Sequence, residues 1–476
     1  MTDVNKNSLD LIHCEQDALK LYAPPPRHHT GGIGLEVEMP LYRPNASGGM
    51  DIPPPQTLTR MQSDLKAQGY DAQLEAAGVL EYASRPVPIA RVADLIAAAQ
   101  EDVARFKDRA RQDGYTRAEM CILPTTTRRQ ALDNLVPRER LQAALKAITE
   151  TMHPLVLNVP LLTTGTQVSF APEDMAQLHR MLTRAYILTP LIMAAMNSHS
   201  GYAGGEAQRQ DVHLRGEYYA YHGSRGGIAE SVLLAENSED FTRRHIRSIF
   251  DSPMLFAYGP EGKLITPSPG QVLTFRSLIE RGLNTRSNYE LAESFQYHDV
   301  KVCNLRDADG QVVGKRLEVR ACDSGPHQAA SLLLLTAALI PDGPGAVALE
   351  KLLHDYGFTG QLRRDASLLL QARQAAVYHE GKFMDIAFGQ DPKTGAKRSM
   401  RDFAADVAGV LCDCYADQPA VQKHLSHLVD ILLTGDCDAK KTKQRCPTYA
   451  DMVAELRQKA HIATPQNPQN NLKYQA

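Results

Sequence analysis

The sequence predicts an α+β fold: a mostly antiparallel, open sheet with a charged concave face, covered on its other side by helices and followed by a helical C-terminal region. Three observations lead there. Four stretches alternate apolar and polar residues with the period of two that sends successive strand side chains to opposite faces. Two of the runs flank Asp307-Ala308-Asp309-Gly310-Gln311, whose Asp-Gly chemistry turns a chain back on itself as an antiparallel hairpin. Between and after the strands, segments with apolar residues three and four apart present one stripe each, as helices covering a sheet do.

Taken in order, residues 1–30 read as a loosely ordered N-terminal arm with a proline patch, Pro24 to Pro26. The first strand comes at 31–42, with Ile33, Leu35, Val37 and Met39 on one face and Gly34, Glu36 and Glu38 on the other. A helix is expected near 58–68. The second strand, 78–88, sets Val79, Glu81 and Ala83 on one face and is stopped by Pro86 and Pro88. Helical periodicity returns over 89–112 and 139–152. Next, 163–170 places Thr166, Val168 and Phe170 opposite Gln167 and Ser169, and Pro172 in a first turn opens a long helix to about residue 197. The segment 201–227 reads as a long loop dense in Gly, Tyr and Arg, which marks it as functional rather than decorative. After a helix at 275–282 comes the hairpin, 296–323, in which Arg316, Glu318, Arg320 and Cys322 alternate with Leu317, Val319 and Ala321. Beyond it helices are expected at 326–340, 346–356, 363–378, 400–415, 419–433 and 449–460. The chain thus divides into the arm, a sheet-bearing domain over 31–345, a helical region over 346–463 and a polar, disordered tail over 464–476.

Composition narrows the function. Over 476 residues, 52 Lys and Arg stand against 55 Asp and Glu, so no basic footprint for nucleic acid is present. No apolar run reaches the roughly 20 residues of a membrane span, and no secretory leader is visible at the N-terminus. The eight cysteines are irregularly spaced and suit a reduced, cytoplasmic setting. Four of them lie near His424 and His427, but without a CxxC pair they read as free thiols rather than zinc ligands.

The wet faces of the four strands carry Glu36, Glu38, Glu81, Gln167, Glu318 and Arg320. Each strand alone reads as a solvated face. Together they place four carboxylates in a small volume, where repulsion is costly unless cations neutralise it. Oxygen-only ligands point to Mg2+, with Mn2+ nearly as suitable. Arg215 and Arg225, in the long loop, are candidates for the anionic groups of a substrate; the loop spells neither a Walker motif nor a dinucleotide fingerprint.

The ordered motifs GLEVE, LEYASRPVP, GTQVSF, YHDVK and LEVRACDS, spread over roughly residues 30 to 340, carry a resemblance. The chain resembles the glutamate-cysteine ligase branch of the glutamine synthetase-like carboxylate-amine ligases. The resemblance implies a catalytic domain of the glutamine synthetase type over 31–345. It implies that Glu36, Glu38, Glu81 and Glu318 hold divalent ions and that Glu36, Glu318 and Arg320 are catalytic, with Arg320 on the transferred phosphoryl group. Gln167 and Lys301, beside Arg320, would meet the nucleotide, although the family usually has histidine and arginine at these two places. Asp299 and Asp323 would steady the hairpin or bind substrate. The implied reaction uses ATP and Mg2+ to turn an amino-acid carboxylate such as glutamate into an acyl phosphate, which an amine attacks to give an amide. The implied partners are small-molecule amino-acid and amine substrates and a second copy of the chain. Two other readings stay open: a glutamylase or amide ligase acting on a peptide or protein docked through the region after Ala346, and a catalytically silent binding protein of the same fold. The full set of carboxylates argues against the last.

Overall fold

The structure, a computed structural model, describes residues 11–207, 212–268, 270–378 and 383–463. The expected disordered tail and the first ten residues of the arm lie outside them. The central sheet has six main strands: β1 (Gly32–Pro44), β2 (Asp71–Leu74), β3 (Val79–Ala83), β4 (Gly165–Phe170), β5 (Val300–Arg306) and β6 (Val312–Asp323). Their spatial order is β5-β6-β4-β1-β3-β2, and every neighbouring pair is antiparallel. The expected strands are all present. The addition is β2, whose four residues are too few to announce themselves by periodicity.

The hairpin β5–β6 turns where the Asp-Gly pair predicts it. Asp307 accepts from the backbone of Asp309 and Gln311, and Gly310 takes the left-handed conformation, φ 76°, that the turn requires. One expectation along β6 fails. Strict alternation puts Cys322 on the charged face, but the register shifts between Val319 and Cys322, so Cys322 pairs with Thr166 and is buried with its Sγ 3.6 Å from Met196 Sδ. A bulge adds one residue to a strand and so exchanges the faces of the residues beyond it.

The helices that frame the sheet are α1 (Pro55–Ala67), α2 (Val92–Gln112), α3 (Met175–Ala195), α4 (Leu214–Ala220), α5 (Arg286–Ser294), α6 (Gln328–Leu339), α7 (Leu362–Val377), α8 (Met400–Cys414) and α9 (Gln422–Thr434). The apolar face of the sheet, including Ile33, Leu35, Val37, Val168, Leu317 and Val319, is buried against α1, α2, α3 and α6. Helix α6 is apolar all round, with Leu332 to Leu335 fully buried, because it has the sheet on one side and α8 and α9 on the other. Helices α7, α8 and α9 therefore form an outer layer, and one continuous core runs from Ile33 in β1 to residues such as Leu369, Phe403 and Leu428, across the expected break at 345. No single helix among the described residues is long and apolar enough to cross a membrane.

Two segments are more ordered than their composition suggests. In the arm, Ile12, Ala18 and Tyr22 are buried, and Tyr22 donates from its hydroxyl to Glu293 at 2.9 Å. The long loop contains α4, started by His213, whose Nδ1 accepts from the backbone of Gly216.

Candidate active site

Strand register assembles the site. Lys301 stands opposite Glu318, Glu318 opposite Ser169, Gln167 opposite Glu36, Glu38 opposite Glu81, and Glu81 opposite Gln73. Directly paired residues share a face, so these side chains line one concave floor that runs across the sheet from β5 to β2. Glu36, Glu38, Glu81, Gln167, Lys301, Glu318 and Arg320 come together as expected.

Glu38 is held at both oxygens. Oε1 accepts from Gln167 Nε2 at 2.8 Å and Oε2 from the backbone of Gly165 at 2.6 Å, with Arg215 Nη1 at 3.4 Å. Gln167 thus positions a carboxylate. Arg215 lies against Gly165 so closely that a Cβ there would stand 2.6 Å from its Cζ, and the bare strand is what lets the guanidinium down to the floor. From α4, Tyr219 carries the Arg215 guanidinium over its ring and stands 3.5 Å from Arg320 Nη2.

Glu318 is clamped by two arginines, Arg316 Nη2 at 2.7 Å from Oε2 and Arg320 Nη1 at 2.8 Å from Oε1. Arg320 keeps a buried, unpartnered Nε, and its Nη groups face the floor. Lys301 donates to the Ser294 carbonyl at the end of α5, and burial lowers its pKa.

Arg225 is placed away from the floor, and Asp299 and Asp323 take the first of their two expected roles, steadying the hairpin. Asp299 is fully buried and paired with Arg373 of α7; Asp323 is fully buried, accepts from the Ser198 backbone and has His213 Nε2 at 3.3 Å. Both steady the frame through these pairs. Arg225 is buried as well, donating to the Pro253 carbonyl and lying against Met152 and Tyr297. Its charge is used in packing the loop rather than displayed on the floor.

Sequence reasoning missed Glu75, just past β2. Its signal was the alternation of Asp71, Gln73 and Glu75 with Ala72 and Leu74, too short to stand out. Glu75 completes a charged row. Burial, then the nearby Glu38 charge, raises it to about 7. Burial, then Glu318, does the same for Glu36, and burial with Glu75 pushes Glu81 well above the usual carboxylate range. Glu318 goes the other way: burial opposes ionisation, but Arg316 and then Arg320 hold it at about 2. The floor is polarised, with arginines over Glu318 and uncompensated acids around Glu81.

Among the described residues, no three acid, histidine or cysteine side chains already stand in ligating geometry. The donor set nevertheless fits a hard divalent ion. It is oxygen-only, and Glu36, Glu75 and Glu81, raised first by burial and then by neighbouring carboxylates, are groups whose ionised form such an ion stabilises.

A profile of glutamate-cysteine ligase family 2 matches residues 32–356, which span the whole sheet. The chain belongs to that family. Among solved structures, this family member is similar to the glutamate-cysteine ligase of Francisella tularensis in complex with AMP, with a TM-score of 0.55 at 10% identity over 92% of this chain and 89% of that one. That likeness is one of fold, a curled antiparallel sheet with helices. The Pup ligase PafA in complex with Pup (TM-score 0.37, 10% identity, 91% and 73% covered) and a glutamine synthase homologue (0.30, 11%, 94% and 75%) are more remote and carry no argument. No curated protein matches.

Proposed function

We propose that the chain is an ATP-dependent carboxylate-amine ligase that joins an amino-acid carboxylate, such as the γ-carboxylate of glutamate, to an amine. The observation that carries the reading is the polarised floor. Carboxylates Glu36, Glu38, Glu75 and Glu81 occupy one part, and guanidinium groups of Arg215 and Arg320 face it from the other. Such a floor suits phosphoryl transfer, where positioning and charge neutralisation supply most of the catalysis.

Glu38, Glu75 and Glu81 would hold Mg2+ or Mn2+, which when bound would neutralise and orient the nucleotide phosphates. Arg320 would meet the transferred phosphoryl group, with Glu318 setting its angle through the 2.8 Å pair. Lys301 and Gln167 fix the neighbouring strands and the Glu38 carboxylate. Arg215 is placed to receive the acid substrate, whose carboxylate oxygen takes the phosphoryl group from ATP; ADP leaves. The amine then attacks the acyl carbon, and phosphate and a proton are released. ATP supply and eight free cysteines favour the cytoplasm.

The experiment is an ADP-release screen with Mg2+ and free amino acids paired with amines, run beside a panel of peptide and protein acceptors. ADP release with free amino acids supports this reading, release only with the macromolecular panel shifts it to a glutamylase, and release undiminished in Glu318→Gln removes the floor from the mechanism.

A further inference from the structure

Arg316 precedes Glu318 by two residues on β6 and shares its face, so its side chain runs across the floor. It touches three strands. Nη2 stands 2.7 Å from Glu318 Oε2, Nη1 stands 3.6 Å from Glu36 Oε1 on β1, and the group donates to Ser169 Oγ on β4, the strand between them. A guanidinium that bridges two carboxylates from non-adjacent strands has both the place and the charge of a bound cation. Glu36 and Glu318 are otherwise like charges facing across one strand, an arrangement that needs a positive group between them.

The rest of the floor is distributed to match. Five carboxylates, Glu36, Glu38, Glu75, Glu81 and Glu318, share the floor with three guanidinium groups, Arg215, Arg316 and Arg320, and with Lys301 opposite Glu318, so the acids outnumber the cations. Among the described residues no lysine or arginine pairs with Glu75 or Glu81, so the uncompensated charge lies at their end of the row, across β1 from Arg316.

We propose that Arg316 is a resident cation, standing in for one divalent ion between Glu36 and Glu318, so that divalent ions enter only at the Glu38, Glu75 and Glu81 end. The inference rests on the ligase reading. It predicts that removing the arginine charge opens a second ion position instead of merely damaging the first.

The test is a count of bound Mn2+ by equilibrium dialysis and elemental analysis, with a non-hydrolysable ATP analogue, on the full chain and on Arg316→Gln, Arg316→Met and Arg316→Lys. The neutral variants are expected to bind one more Mn2+ per chain than the parent, and their thermal midpoints to rise more on adding Mn2+. Lysine, which keeps the charge, is expected to keep the parent count. Equal counts in parent and neutral variants overturn the inference while leaving the ligase reading intact. Failure of both neutral variants to fold even with Mn2+ also overturns it, since the ion should replace the lost charge. No Mn2+ bound by the parent with the analogue present overturns the ligase reading, and this inference with it.

Discussion

Arg373, in the outer layer of helices, donates twice to Asp299 at the root of the hairpin, Nε to Oδ2 at 2.5 Å and Nη2 to Oδ1 at 2.9 Å. The same Nη2 reaches the Gly216 carbonyl in α4, and the Asp299 carbonyl accepts from the Arg320 backbone. The C-terminal helices thereby fix the strand and the helix that bring Arg320, Arg215 and Tyr219 to the floor.

Arg373→Met leaves a fully buried carboxylate without its partner, which costs about 3–5 kcal/mol in typical cases. Urea denaturation should show that loss, and ligase activity at a temperature where the variant stays folded should fall further, because Arg320 loses its fixed backbone. A variant of parental stability would mean that Asp299 finds another donor.

A second buried pair stands outside the site. Lys315 Nζ lies 2.6 Å and 2.7 Å from the two oxygens of Glu293, with Tyr22 donating to the same carboxylate. Burial opposes the charge, yet Lys315 and then His245 hold Glu293 down at about 2. A depressed carboxyl gives stability that is present above its unfolded pKa, about 4.5, and is lost as pH falls towards 2. Lys315→Met alone should destabilise by about 3 kcal/mol or more, whereas joining it with Glu293→Leu should recover much of the loss. Both are read as midpoints of unfolding at pH 7; a double variant no better than the single would show that Tyr22 and His245 depend on the charge.

Much of the floor was legible because strand alternation is a strict rule. Glu36, Glu38, Gln167, Glu318 and Arg320 each fall on the polar face of a run whose other face is apolar, Glu81 is the one acid of its strand, and register then aligns them. What escaped has physical reasons. Glu75 sits just past a four-residue strand that carries little periodic signal, and the bulge that turns Cys322 inward has no mark in a single sequence. The roles of Asp299, Asp323 and Arg225 depend on partners such as Arg373, His213 and Pro253, distant in sequence and invisible to local pattern. Arg316 was visible on the face, but its bridge from Glu318 to Glu36 exists only once β4 lies between their strands.

Gly165→Ala tests how Arg215 is seated. The added Cβ would stand 2.6 Å from the guanidinium carbon, so the arginine must leave the strand and its 3.4 Å approach to Glu38. Stability should change little beyond about 1–3 kcal/mol, while KM for the acid substrate rises more than tenfold and KM for ATP stays near its parental value. Equal effects on both substrates would move Arg215 from the acid to the nucleotide.

The row of raised carboxyls makes stability depend on pH and on divalent ions together. Glu36 and Glu75 keep their protons in the folded chain up to about 7, whereas the unfolded chain releases them near 4.5. The folded state therefore binds more protons between these values, and stability falls as pH rises from about 4.5 to about 7, by on the order of 3 kcal/mol for each carboxyl so displaced. Divalent ions bind the ionised form and should remove the decline. Thermal midpoints taken from pH 5 to pH 8 in EDTA should drop, and in excess Mg2+ should stay level or rise. Glu75→Gln, which cannot ionise, should flatten the EDTA curve and weaken the Mg2+ response, because the same group that repels its neighbours in the ion-free chain is one the ion needs. A flat EDTA curve in the parent would mean that the acids around Glu81 are already compensated, and the charge division between them and the arginines over Glu318 would have to be redrawn.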